Sequence, residues 1–110
     1  MVNIFVDDMR ETPQGFIHFY TVNDCISYIR RIYKQGVTDF YLDLDNDAGT
    51  EYAQHGGDYI NILRYLEDMR RMGHLRHMRI KVHIHSMNPV AVQQMRTIID
   101  VNRDWMEEVR

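Results

Sequence analysis

Three short stretches of the chain carry side chains that can bind cations or move protons. Asp7 and Asp8 follow a short apolar run near the N-terminus, Asp43 and Asp45 close a second apolar run, and residues 85–89 read His-Ser-Met-Asn-Pro. Carboxylates are the ligands that hard divalent cations such as Mg²⁺ or Mn²⁺ prefer. An imidazole can transfer a proton near neutral pH. Together these residue types indicate acid–base or metal-assisted chemistry.

The charge distribution supports a cation site. Between Gln35 and Leu63 there are six acidic residues and no Lys or Arg. Carboxylates gathered without basic partners repel one another, and a divalent cation would relieve that repulsion. The alternative interpretation is that these acids are solvated loop residues. The convergence of three polar strand ends favours a site.

His83 and His85 differ in their predicted roles. They stand two residues apart on a predicted strand, so both rings point to the same side. We interpret His83 as a residue buried under a helix and hydrogen-bonded there. His85 lies at the end of the strand, and it is the candidate for proton transfer or ligand binding.

Hydrophobic periodicity predicts the order strand, strand, helix, strand, helix, strand, helix. The predicted strands cover residues 3–6, 16–20, 37–44 and 79–86. The predicted helices cover residues 22–35, with Thr21 as the N-cap, the segment capped by Asp58 and closed by Gly73, and the segment from Asn88, its N-cap, to the end of the chain. Strands that alternate with helices imply parallel pairing through right-handed crossovers. We therefore predict an α/β fold: a small three-layer open parallel sheet of about four strands with helices on both faces. Ligands collect beyond the carboxyl ends of such strands.

Length and composition exclude several classes of protein. The chain has 110 residues, a net charge of −3 and a single cysteine. A mildly acidic protein is a poor candidate for binding duplex nucleic acid, and one cysteine cannot form an internal disulfide. No apolar run reaches membrane-spanning length. We expect a single domain over residues 1–110, cytoplasmic and not associated with a membrane.

Four pieces of the chain together resemble the cyclic-phosphate-processing receiver-like domains, a receiver-derived family of small α/β proteins. They are residues 4–10 (IFVDDMR), 42–45 (LDLD), 57–58 (GD) and 85–90 (HSMNPV). They follow the family's order over nearly the whole chain, and the His-Ser-x-Asn-Pro segment is the most specific of them. The resemblance implies a receiver-like sheet that lacks one of the usual helices. It also implies an acidic metal pocket and action on cyclic phosphates of RNA ends or nucleotides.

One position departs from the family pattern. The family typically has His between the two acids of the central strand, where this chain has Leu44. Either His83 replaces that imidazole, or catalysis is weakened or lost.

The first functional hypothesis is therefore a metal-dependent phosphoesterase that opens a cyclic phosphate. The predicted ligands for Mg²⁺ or Mn²⁺ are Asp7, Asp8, Asp43 and Asp45, with Asp45 orienting a ligand. His85 and Asp43 are the predicted catalytic residues. Ser86 and Asn88 would bind the phosphate of a small phosphorylated ligand at the start of the last helix, because helix N-termini attract anions.

The second hypothesis is a non-catalytic receiver-type module that binds or sequesters a nucleotide or phosphate ligand. Ordinary phospho-accepting receivers share the acid pair and the central Asp, but they carry a Lys at the end of a late strand. The two lysines here are Lys34, in a predicted helix, and Lys81, near the start of its strand. Phosphotransfer is therefore the weaker variant, while ligand binding without cleavage stays open. The oligomeric state is also open.

Overall fold

A computed structural model describes residues 1–110, which form five strands and four helices. The strands are β1 (Val2–Val6), β2 (Ile17–Phe19), β3 (Asp39–Leu44), β4 (Arg79–Ile84) and β5 (Met106–Glu108). The helices are α1 (Val22–Lys34), α2 (Gly49–Tyr52), α3 (Ile60–Arg71) and α4 (Pro89–Val101). All strands pair in parallel, in the order β2-β1-β3-β4-β5. The predicted receiver-like open parallel sheet is confirmed. None of the helices combines the length and apolar character needed to cross a membrane.

The hydrophobic core lies on one face of the sheet. On β3, Phe40, Leu42 and Leu44 alternate with half-exposed residues, and all three are almost completely buried. They belong to a single cluster of 23 buried residues to which α1, α3 and α4 all contribute. Phe5 of β1 is also buried, but it lies outside this cluster. The three long helices therefore cover the same face.

The strand order explains this one-sided cover. The connections β2–β3, β3–β4 and β4–β5 all cross the sheet in the same direction. Right-handed crossovers in one direction place their helices on one face. The connection from β1 to β2 contains no helix. The prediction of three layers with helices on both faces is therefore wrong in this respect, and the second face carries half-exposed or exposed side chains such as Tyr41 and Lys81.

The predicted strand number was one short, because the last helix ends before the chain does. α4 stops at Val101, and the side chain of Asn102 donates to the Ile98 carbonyl oxygen (2.8 Å) and accepts from the Trp105 indole (3.2 Å). The chain then turns into β5, where Met106 pairs with Ile80. A fifth strand thus stands where the sequence predicted a continuing helix.

Helix starts follow the predicted capping residues in two of three cases. The side chains of Thr21 and Asn88 each accept a hydrogen bond from a first-turn backbone N–H (3.1 Å in both cases). Asp58 does not cap α3, which begins without a side-chain cap. Its Oδ1 accepts instead from the N–H of Ala48 (3.1 Å), which ties together the two ends of the loop that contains α2.

Candidate functional site

The three polar strand ends meet at the carboxyl edge of the sheet. Leu44 pairs in register with Val6 of β1 and with Ile84 of β4. The residues that follow these three therefore stand side by side, and they are Asp7, Asp45 and His85. The predicted convergence of segments far apart in sequence is confirmed.

The His85 ring is bonded at both nitrogens. Nδ1 hydrogen-bonds to Oδ1 of Asp43, and Nε2 lies 2.8 Å from Oδ2 of Asp7. Carboxylates only accept, so both nitrogens donate when the two acids are ionised, and the ring is then an imidazolium. Burial lowers the pKa of His85, but the bonds to Asp43 and Asp7 raise it more, and the pKa ends above its ordinary value.

Phe5 fixes the plane of the His85 ring. The two rings are stacked with a centroid separation of 5.1 Å and an interplanar angle of 6°. Phe5 is buried, although it does not belong to the main core. Its side chain therefore supports the site from the sheet face that carries no helix.

Asp7 is an ionised buried carboxylate. Its side chain is 1% exposed, and its Oδ1 accepts from the backbone N–H groups of Met9 and Arg10 (2.8 Å each). Burial raises the pKa of Asp7, but those two N–H groups and His85 outweigh it, so the pKa lies below the ordinary value. The loop after β1 thus folds around this carboxylate and holds its negative charge.

Asp45 is in the opposite electrostatic situation. Burial raises its pKa, and the nearby charges of Asp7 and Asp8 raise it further. The side-chain donor atoms of Asp7, Asp45 and His85 all lie within 4.8 Å of one another, so these residues could hold a metal ion. Oxygen ligands with one imidazole suit a hard or borderline divalent cation. A bound cation would offset the repulsion between Asp45 and the charges of Asp7 and Asp8.

Asp8 and Asp43 lie outside this group of three, although both were predicted as ligands. Asp43 contacts the ring of His85 instead. The Asp8 carboxylate lies against Gly49, where an added Cβ would be 2.8 Å from its Oδ2. Burial raises the pKa of Tyr59, and the charge of Asp8 is the next cause. Asp8 is therefore part of the same acidic surroundings.

Ser86 and Asn88, the predicted substrate-binding residues, shape the start of α4. Ser86 Oγ accepts from the Asn88 backbone N–H (3.1 Å), and Asn88 Nδ2 donates to Oδ1 of Asp47 (3.4 Å). The hydroxyl hydrogen of Ser86 is not used in that bond. Their contact with a phosphate stays a prediction.

The position between Asp43 and Asp45, at the end of β3, does not face the site. Leu44 is fully buried in the main core. His83 is half-buried on the helix-free face, and its Nδ1 donates to the carbonyl oxygen of Val109 (2.9 Å). The interpretation of His83 as hydrogen-bonded is confirmed, but its predicted place under a helix is wrong.

His18, which was not predicted to be part of the site, also contacts it. Its Nε2 donates to the backbone oxygen of Asp7 (2.7 Å), and its Nδ1 bonds to Thr12 Oγ1 (2.6 Å). It also meets Phe5 edge-on, with centroids 5.1 Å apart. The available signal was its two-residue spacing from Tyr20, which places both rings on one side of an extended segment.

These features define a receiver-like domain with an acidic site that contains an imidazole and no lysine. The family model described as "Cyclic-phosphate processing Receiver domain" matches residues 2–101, so the chain belongs to that family. The resemblance drawn from the strand-end motifs is thereby confirmed. Neither the curated proteins nor the solved structures contain a significant match to the chain.

Proposed function

We propose that this protein is a metal-dependent phosphoesterase that opens the cyclic phosphate of a nucleotide or of a 2′,3′-cyclic RNA end. The observation that carries the proposal is the placement of His85 between Asp7 and Asp43. Asp45 lies close enough for its carboxylate and that of Asp7 to bind the same cation. Membership of the cyclic-phosphate processing family supports the substrate class.

Asp7 and Asp45 would hold the cation, Mg²⁺ or Mn²⁺, with Asp8 and Asp43 as the remaining predicted ligands. When bound, the cation would polarise the phosphoryl oxygens and offset their charge. The proximity of Asp7 and Asp45 and the raised pKa of Asp45 support this assignment. Arg10 Nε lies 3.9 Å from Oδ2 of Asp7, but its side chain is 55% exposed, and residues 35–63 contain no Lys or Arg that could take that role.

His85 can act either as a ligand or as a proton donor, and we assign it the second role. Both of its nitrogens already bond to carboxylates, which favours the imidazolium, and an imidazolium cannot bind a metal. Water adds to phosphorus and loses one proton, the bond from phosphorus to one ribose oxygen breaks, and Nε2 of His85 leaves its bond to Asp7 and gives its proton to that oxygen. The proton lost by the water then passes to the ring and restores the imidazolium. Asp43 keeps the ring oriented through Nδ1.

The start of α4 would receive the phosphate. The first N–H groups of a helix have no partners within the helix, and they carry partial positive charge. Ser86 and Asn88 flank this terminus, and the Ser86 hydroxyl can donate to a phosphate oxygen while its oxygen accepts from Asn88. Neutral donors suit a phosphate whose charge is already offset by the cation.

The test is turnover of 2′,3′- and 3′,5′-cyclic AMP with Mg²⁺ or Mn²⁺ and with EDTA. We expect cation-dependent opening that falls at least about 100-fold in His85→Ala and in Asp43→Asn, the usual scale for loss of acid–base catalysis. His83→Ala is the matched control, because His83 lies two residues before His85 and bonds to Val109 rather than to an acid. No turnover, or equal turnover in His85→Ala, would contradict the enzyme. Binding without turnover would support the non-catalytic module.

A further inference from the structure

We propose that Tyr20 is a nucleobase-stacking residue, so that the ligand of this site carries a base beside its phosphate. This inference rests on the proposed function for the phosphate end of the ligand. The base subsite itself follows from a series of aromatic contacts that leads outward from the acidic site.

The series begins at the His85 ring and ends at the surface. Phe5 stacks on His85, and His18 meets Phe5 edge-on. Tyr20 then stacks on His18 with centroids 4.2 Å apart and an angle of 18°. Tyr52 of α2 lies 5.4 Å from Tyr20. Phe5 and His18 thus connect the His85 imidazole to the exposed ring of Tyr20.

Tyr20 remains 45% exposed despite its two aromatic neighbours. Its backbone is fixed, because its carbonyl oxygen accepts from the buried hydroxyl group of Tyr59 (2.8 Å). His18, the ring under Tyr20, is fixed by its bond to the carbonyl of Asp7. The backbone of Tyr20 and the ring on which it stacks are therefore both fixed. A preorganised aromatic surface of this kind loses less entropy on binding.

The carboxyl edge of the sheet gathers exposed apolar side chains. Of the eight exposed large hydrophobic residues in the protein, four follow the ends of β1, β2 and β4. These four are Met9, Tyr20, Met87 and Val90. Single exposed hydrophobic residues are ordinary, but these four place apolar side chains at the same edge of the sheet as the acids. A purely ionic ligand would gain nothing from these exposed apolar side chains, whereas a planar base would gain affinity by packing against them.

Stacking also suits the local charge. The acids around Asp7 would repel an additional anionic group of the ligand, and an uncharged base avoids that repulsion. Every base has a π-face, so stacking on Tyr20 is expected to tolerate different bases. Base–aromatic stacking typically changes affinity by about tenfold or more.

The experiment compares a base-bearing ligand with its abasic counterpart. We would measure the Kd of 3′-AMP and of methyl ribofuranoside 3-phosphate by calorimetry with Mg²⁺, in wild type, Tyr20→Leu and Tyr20→Phe. Neither probe is a cyclic phosphate, so the result does not depend on turnover. Met72→Ala is the control, because Met72 is exposed at the far end of α3.

We expect wild type, Tyr20→Phe and Met72→Ala to bind 3′-AMP about tenfold tighter than the abasic phosphate. In Tyr20→Leu, which keeps apolar bulk without an aromatic ring, the ratio should fall to about one with the abasic affinity unchanged. Equal binding of the two probes by wild type would overturn the inference. So would an unchanged ratio in Tyr20→Leu, or no binding of 3′-AMP. Failure of cyclic-phosphate opening alone would reject the proposed reaction and leave a positive stacking result standing.

Discussion

Nε2 of His85 lies 2.8 Å from Oδ2 of Asp7, although 78 residues separate the two in the chain. The sequence predicted that a cation would offset the repulsion between these acids. The protonated His85 ring is such a cation, and it belongs to the protein itself. One imidazolium offsets one of the two negative charges of Asp7 and Asp43, while Asp45 forms no ion pair and has a pKa raised by burial and by the charges of Asp7 and Asp8. Negative charge therefore remains at the site, and a bound cation would offset it.

This contact predicts how the metal-free protein responds to pH. The pKa of His85 is raised above 6.5, so its stabilising contribution is full below pH 6.5 and is lost as the pH rises through the folded-state value. The pKa of Asp7 is lowered below 3.8, so its contribution is present above pH 3.8 and is lost as the pH falls through the folded-state value. In urea unfolding with EDTA present, the free energy of unfolding should decline as the pH rises above 6.5 and as it falls below 3.8.

The variant His85→Gln tests the alkaline part of this profile. It should remove the decline above pH 6.5, because glutamine does not titrate. His83→Gln should keep the decline, because His83 contacts no carboxylate within hydrogen-bonding distance. A His85→Gln profile that matches wild type at every pH would show that the imidazolium does not stabilise the fold.

A second prediction concerns the departure from the family pattern at Leu44. Because Leu44 lies in the core, Leu44→His would bury an imidazole among apolar side chains rather than add one to the site. We expect a loss of about 2–4 kcal/mol in the free energy of unfolding and no gain in turnover. The volume-matched Leu44→Met should cost less than about 1.5 kcal/mol. A histidine variant that folds as well as wild type and turns over faster would contradict the core position of residue 44.

Much of the fold was predictable because local signals agreed with it. Thr21 and Asn88 begin helices as expected, and the alternation of Phe40, Leu42 and Leu44 marks a central strand. β5 was not predictable, since its three residues carry two glutamates and no apolar alternation. Its pairing with β4 defines it, and that is a tertiary contact. The one-sided helix layer likewise depends on strand order, which the sequence does not display.

The site was predictable to the level of its strand ends. Asp7, Asp43 and His85 were singled out by type and position, and they are in contact. The direct role of His85 as the bridge between two acids was not predictable, because it depends on side-chain geometry across three strands. His18 was missed for the same reason: its partner is a backbone carbonyl 11 residues away.

A third prediction concerns the metal ligands. Asp45→Asn should weaken Mn²⁺ binding at least about tenfold, because it removes one of the two carboxylates in the group that could hold a cation. Asp100→Asn removes the same charge from an exposed position on α4, where the side chain is 78% exposed. This control should leave the Mn²⁺ affinity within about twofold, since distant surface charges are screened by salt. Titration of Mn²⁺ followed by electron paramagnetic resonance measures both, and equal affinities in the two variants would remove Asp45 from the site.

The fourth prediction uses two glycines that share a backbone conformation but differ in surroundings. Gly49 has a φ of +73° and Gly73 a φ of +86°, so alanine at either position should cost about 1–2 kcal/mol of stability. A Cβ at Gly49 would also lie 2.8 Å from Oδ2 of Asp8, whereas nothing lies within 4 Å of one at Gly73. Gly49→Ala should therefore displace the Asp8 carboxylate and weaken Mn²⁺ binding several-fold more than Gly73→Ala does. Equal Mn²⁺ affinities in the two variants, with equal losses of stability, would show that the position of Asp8 does not matter to the cation.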